Sequence, residues 1–183
     1  MAQVNNRISL KKLAAGASVL ITAAFCINLL LSPTAVTKLD AEAMRSLTAE
    51  GTFKTTRAGG ARAIHIFLST DCSFCRDIEP ELDELDNVTI YRHLLPGHGE
   101  AGRRAALDVW CSDNPVEAWK NVAAGLTVAS KKCNGAVLEK NLKLAKNLRL
   151  TMTPSIVYED GHVSAGMISS GEIADRLAGS AKR

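Results

Sequence analysis

Six largely apolar residues, 63–68 ("AIHIFL"), run into the motif Cys72-Ser73-Phe74-Cys75, and a helical pattern begins there. This junction constrains the fold more than any other stretch of the chain. A short run with almost no polar interruption reads as a central strand covered on both faces. After Cys72, the residues Ile78, Leu82 and Leu85 take the i, i+4, i+7 spacing of one buried helix face. Pro80 stands inside that helix and is expected to kink it, because it removes one backbone donor. Residues 88–96 ("VTIYRHLLP") form a second strand, stopped by Pro96 and Gly97. Strand, helix and strand make a βαβ-type unit with the two cysteines at its first strand-to-helix turn.

The middle of the chain is helical. Residues 100–113 put Ala105, Leu107, Trp110 and Cys111 on or near one face. A second helix has Asn114 as N-cap, Pro115 at its first position, Glu117 three residues after the cap and Gly125 as its stop. Residues 135–148 carry Leu138, Leu142 and Ala145 on one stripe. The chain then returns to strand. Residues 155–158 and 162–165 flank Asp160-Gly161, which is a hairpin pattern. Ser170 is expected to cap a last helix that turns Ile173 and Leu177 inward. The fold class is α/β, a mixed central sheet flanked by helices with a helical insertion.

Residues 13–31 hold 19 residues without a formal charge, preceded by Arg7, Lys11 and Lys12. As a helix this segment would span roughly 28 Å, close to a bilayer core. It is expected to be a signal-anchor that stays uncleaved, with a cleaved signal as the alternative; either way the basic end is cytoplasmic and the body is exported. Residues 1–31 contain no acid, so setting its three bases aside leaves 19 bases against 19 acids. A neutral body gives no support for nucleic-acid binding. The expected organisation is 1–31 as membrane segment, 32–62 as connector with a short helix near 40–47, and 63–183 as the catalytic domain. Export permits stable disulfides. Four cysteines lie past the anchor, Cys72, Cys75, Cys111 and Cys133, and they allow three pairings.

Cys72 falls at a helix start, where unpaired N–H groups and the helix dipole favour a negative group. It is expected to ionise more readily than a free thiol and to act as the attacking sulfur. Cys75, one turn further in, would resolve the mixed disulfide. Phe74 between them offers an apolar surface for unfolded polypeptide. A zinc site and a purely structural disulfide are the rival readings of the pair. Zinc would need a second tight ligand pair, and Cys111 and Cys133 stand 22 residues apart with no histidine at knuckle spacing. No metal and no cofactor are expected.

"CSFC" at a strand-to-helix junction, Pro80 five residues after Cys75, and Thr153-Pro154 before the third strand resemble the thioredoxin superfamily. The threonine before that proline, residues 109–125 ("VWCSDNPVEAWKNVAAG") and a second cysteine pair in the insert are similar to the periplasmic disulfide isomerases of the DsbC/DsbG type. The similarity covers about 63–183. It implies a thioredoxin-like fold, Cys72 and Cys75 as the redox pair, Pro154 as a cis-proline facing them, and Thr153 as a backbone partner for a substrate strand. It also implies a structural disulfide between Cys111 and Cys133. The implied activity is thiol–disulfide oxidoreductase or isomerase, acting on unfolded or misoxidised exported proteins, with a membrane redox partner resetting the pair. Those isomerases carry an N-terminal dimerisation domain, which 32–62 is too short to hold. Thioredoxin itself resembles a version with a buried carboxylate six residues before the first cysteine; here that residue is Ile66. A chaperone or secretion-assembly protein that uses the same groove, with incidental thiols, is the alternative.

The remaining candidates read as structural. His65, His93, His98 and His162 are scattered, as surface or strand histidines. Glu79, Glu81, Asp83, Glu84 and Asp86 read as a solvated acidic helix face. Asp71 and Arg76 read as solvated charges beside the pair, and Trp110 and Trp119 as core.

Overall fold

The computed structural model describes residues 37–129 and 131–180. The expected anchor at 13–31 lies outside the described residues. Among the described residues no helix is long and apolar enough to cross a membrane.

Five strands form one sheet: β1 (Phe53–Thr56), β2 (Arg62–Leu68), β3 (Val88–Leu94), β4 (Ser155–Tyr158) and β5 (Val163–Ala165). Their order is β1-β3-β2-β4-β5. Only β2 and β3 are parallel, with Ile64 opposite Ile90 and Phe67 opposite His93. The other three pairings are antiparallel. The mixed sheet of the sequence reading is present, and so is the hairpin around Asp160-Gly161, with Gly161 at φ +84°.

Residues 32–62 are more than a connector. They carry helix α1 (Ala41–Ser46), capped by the Asp40 carboxylate, which accepts the N–H groups of Glu42 and Ala43. They also supply the edge strand β1, which buries Phe53. Ahead of α1 the backbone lies along the hairpin, with Val163 N–H donating to Thr37 O at 2.9 Å and Leu39 N–H to Gly161 O at 2.7 Å. The domain therefore begins before residue 63.

Alternation along the strands divides the core into two faces. Ile64, Ile66, Ile90, Ile156 and Tyr158 point to one side. There they meet α2 (Ser73–Asp77), α3 (Glu79–Asp83), α4 (Gly99–Trp110), α5 (Pro115–Ala123) and α7 (Ser170–Ser180). Phe67 and Val157 point to the other side, against α1 and α6 (Ala136–Asn147). Helices α2 and α3 are one rod broken at Ile78, two residues before Pro80, as the proline requires. Leu82 N–H still reaches Ile78 O at 3.0 Å across the break. Asn114 caps α5 by accepting the Glu117 N–H at 3.3 Å, and Gly125 ends the turn at φ +79°. The cap of α7 is Ser169 rather than Ser170. Its hydroxyl accepts the Glu172 N–H while Glu172 accepts the Ser169 N–H, a reciprocal capping box. Ser170 instead donates to Glu81 and Glu84.

Cys111 and Cys133 are joined in a disulfide, with Cα atoms 5.6 Å apart. It ties the end of α4 to the loop that precedes α6. The bonded residues are 22 apart in sequence, a loop whose closure is worth about 3 kcal/mol in the chain-entropy account. Replacing both cysteines by alanine is expected to lower unfolding free energy by about that amount, read from urea denaturation.

Candidate active site

Cys72 stands at the end of the β2–α2 turn as the N-cap of α2. Its backbone is extended (φ −93°, ψ 113°), and its Sγ accepts the Cys75 N–H at 3.2 Å. Both cysteines are free thiols; Cys72 is half-buried and Cys75 is fully buried. Burial pushes the Cys75 thiol far up, and the neighbouring Cys72 adds to the effect. The two sulfurs are therefore unequal. One is reachable and receives a backbone donor; the other is enclosed and held protonated.

Opposite them, the Thr153–Pro154 peptide bond is cis. The Cys72 thiol donates to the Thr153 carbonyl at 3.3 Å. Pro154 leads directly into β4, which pairs with β2, so the sheet itself sets this turn beside the cysteine turn. Among the described residues the Thr153 N–H has no backbone acceptor.

A sequence profile of the thioredoxin-like domain matches residues 49–179. This chain belongs to the thioredoxin-like family. The matched span starts before β1, which agrees with the edge strand inside the domain. Two curated relatives are each named "Probable thiol:disulfide interchange protein DsbC". The one from Bordetella parapertussis is 27% identical over 125 residues, covering 68% of this chain and 44% of the relative. The one from Bordetella avium is 30% identical over 143 residues, covering 76% and 50%. The chain thus spans about half the length of the curated relatives it matches. Among solved structures, a disulfide interchange protein from Neisseria gonorrhoeae superposes with a TM-score of 0.66 at 21% identity, covering 73% of this chain and 97% of that one.

In this thioredoxin-like domain, three exposed apolar side chains rim the cysteine turn. Phe74 is 55% exposed, Met152 51% and Met167 44%. Met152 precedes Thr153, and Met167 follows Gly166, whose N–H donates to the Pro154 carbonyl at 2.8 Å. Phe74 was legible in the sequence; the two methionines were not, because nothing local marks them as neighbours of a turn 80 and 95 residues away in the chain.

The charges beside the pair are bound rather than free. Asp71 accepts from the Ser69 hydroxyl, from the His98 N–H at 2.7 Å and from the His98 ring at 2.8 Å. Partial burial opposes its charge, but these hydrogen bonds prevail and hold the carboxyl at about 2. Arg76 donates to the Thr70 carbonyl at 3.1 Å, and the Thr70 hydroxyl to the Gly102 carbonyl at 3.2 Å. The second bond locks the first turn of α4 onto the segment that leads into Cys72. Gly97, in the loop before α4, and Gly102, in that first turn, touch backbone to backbone. A Cβ on Gly97 would lie 2.5 Å from the Gly102 carbonyl carbon, and one on Gly102 would lie 2.9 Å from that of Gly97.

Glu79 corrects the reading of a solvated acidic face. It is buried, and its carboxylate accepts from Arg92 Nε at 3.1 Å, Arg92 Nη2 at 2.9 Å and Trp119 Nε1 at 2.6 Å. Arg92 Nη1 donates onward to Thr55 of β1 at 3.0 Å. A bidentate, largely buried pair thus lies one helical turn after Cys75. Trp119 is buried as expected, and Trp110 packs half-buried against the same cluster.

His65 and His93 are not scattered in space. Their Nδ1 and Nε2 atoms lie 2.8 Å apart, His65 stacks on Tyr91 and His93 on Phe67. Burial lowers His65 to about 4. Burial and the neighbouring His65 lower His93 to about 3. Both rings are neutral at pH 7, one donating to the other. The unfolded chain binds protons here at the ordinary value of 6.5, so it holds more protons than the folded chain below that pH. The stability from this pair is present above pH 6.5 and is lost as pH falls towards 4 and 3. Urea midpoints measured from pH 7.5 down to about 4 are expected to drop steadily, and less steeply in His93→Gln.

Proposed function

We propose that this protein is a thiol–disulfide oxidoreductase that works on exported proteins through Cys72 and Cys75. The observation that carries the reading is the unequal pair set against Thr153: a reachable sulfur under a backbone N–H, a buried protonated partner one turn on, and a carbonyl 3.3 Å away on the facing turn. As reductase, the Cys72 thiolate attacks one sulfur of a client disulfide. A Cys72–client bond forms, the client S–S bond breaks, and the released client thiolate takes up a proton. Cys75 then attacks the Cys72 sulfur, closing the 72–75 disulfide, and its proton leaves with the second client thiol. Two electrons pass from the pair to the client. The reverse sequence donates a disulfide.

Thr153 offers its N–H and carbonyl to an extended client segment, as an added strand would use them. Phe74, Met152 and Met167 supply apolar area around it. The names of the Bordetella relatives support this chemistry. The Cys111–Cys133 disulfide serves structure, since it clasps the helical insert. We place the domain in the periplasm, held by residues 13–31 and reset by a dithiol protein of the membrane.

The test mixes the reduced full chain with one equivalent of a peptide disulfide and traps free thiols by alkylation. The expected product is stoichiometric peptide dithiol with Cys72 and Cys75 both protected from alkylation. Exchange no faster than with free cysteine would overturn the proposal.

A further inference from the structure

We infer that the cleft beside Thr153 selects client segments that carry a carboxylate within a few residues of the reacting cysteine. Resting on the thiol–disulfide reading above, this names the class of substrate that the same site prefers.

The cleft has a volume of about 540 Å³ and runs from Ser69 and Thr153 between the 95–99 turn and α6. It lies beside the reacting sulfur: Cys72 N–H donates to Ser69 O at 3.2 Å and its thiol to Thr153 O at 3.3 Å, and both acceptor residues line the cleft. A client segment whose cysteine meets Cys72 is within reach of this cleft, and we take it to extend there. The floor is apolar, formed by Phe67, Leu95, Leu142 and Leu150. The formally charged side chains on its walls are cationic: Arg103 from α4 and Lys146 from α6, with neither Asp nor Glu among the lining residues. Arg103 is tied to Glu139. Lys146 has no ion-pair partner among the described residues, and neither has Lys143 one turn earlier on the same helix.

The imbalance is local. Outside residues 1–31 the chain sets 19 bases against 19 acids, so an unpaired lysine on a cleft lined by neither Asp nor Glu does not follow from overall charge. A long lysine stem can lie along the apolar floor while its ammonium stays at the rim. A client with an acid there gains an ion pair at the rim, and a client with a base meets like charge. Charge at such a rim acts chiefly on encounter and on choice among partners.

Two peptide disulfides that differ only in Glu or Lys at positions two to four after the linked cysteine test this. Each is mixed with the reduced full chain in non-ionic detergent, and the second-order exchange rate is measured. The Glu peptide is expected to react roughly 3- to 10-fold faster at low salt. The preference is expected to shrink near 0.5 M salt, where the screening length is only about 4 Å. Lys146→Glu is expected to abolish or reverse it. A second measurement uses cysteine-to-serine versions of both peptides and the Cys72→Ser/Cys75→Ser chain, with affinity read by fluorescence anisotropy; the same order is expected. Equal rates and equal affinities for the two peptides, or a preference unchanged by Lys146→Glu, overturn the inference while exchange itself persists. Absent exchange with the charge-selective affinity intact would strike the thiol–disulfide reading and leave the selectivity of the cleft standing.

Discussion

Cys72→Ser is expected to slow exchange with a peptide disulfide by on the order of 10³-fold or more, because a hydroxyl at that position cannot supply a thiolate. Cys75→Ser is expected to behave differently. Its first step should persist, and a Cys72–peptide adduct should accumulate, visible as a mass shift that a small dithiol reverses. The asymmetry follows from the two environments. Cys72 is half-buried under the Cys75 N–H, whereas Cys75 is enclosed and its thiol is pushed up by burial. The roles would be reversed if Cys72→Ser formed the stable adduct instead, and both would fail if neither variant lost activity.

The second large effect is on stability. Glu79→Ala is expected to cost about 3–5 kcal/mol, because it strands a buried guanidinium. Arg92 is 1% exposed, and without Glu79 the Thr55 hydroxyl is its remaining hydrogen-bond partner among the described residues. Trp119 would lose its acceptor at the same time. The double variant Glu79→Leu/Arg92→Met should recover most of the loss, since an apolar pair of similar volume leaves no orphaned charge. Urea denaturation of Glu79→Leu, Arg92→Met and the double variant reads the coupling directly. A Glu79→Ala loss below about 1 kcal/mol would show that water reaches the site and solvates the arginine.

Much of this was legible in the chain. The β2–α2 junction, the break at Pro80, the Asn114 cap and the Asp160-Gly161 turn are local events, and local residue chemistry sets them. The thioredoxin-like fold followed from their order together with Thr153-Pro154. What escaped is non-local. β1 is four residues with two threonines, and it becomes a strand only because β3 offers it an edge. Glu79 looked solvated because its partner sits 13 residues away on β3, and spacing along the chain does not show which residue of a strand faces which residue of a helix. The signal was Arg92, a charge inside the otherwise apolar run 88–96. The histidine pair had no such signal. His65 and His93 lie on the same face of two adjacent parallel strands, at register positions two apart, a relation that single-sequence spacing does not display. The Met152 and Met167 rim and the cationic cleft depend on which turns the sheet brings together.

The backbone contact between Gly97 and Gly102 bears on how such a domain diversifies. Neither position has room for even a methyl group, and each is blocked by the main chain of the other, so no partner change elsewhere compensates. Any lineage or laboratory library that explores new clients is channelled away from this pair and towards the rim. Positions 146 and 152 stand exposed at that rim, where a change of side chain alters the client surface without meeting main chain, whereas 97 and 102 admit only glycine.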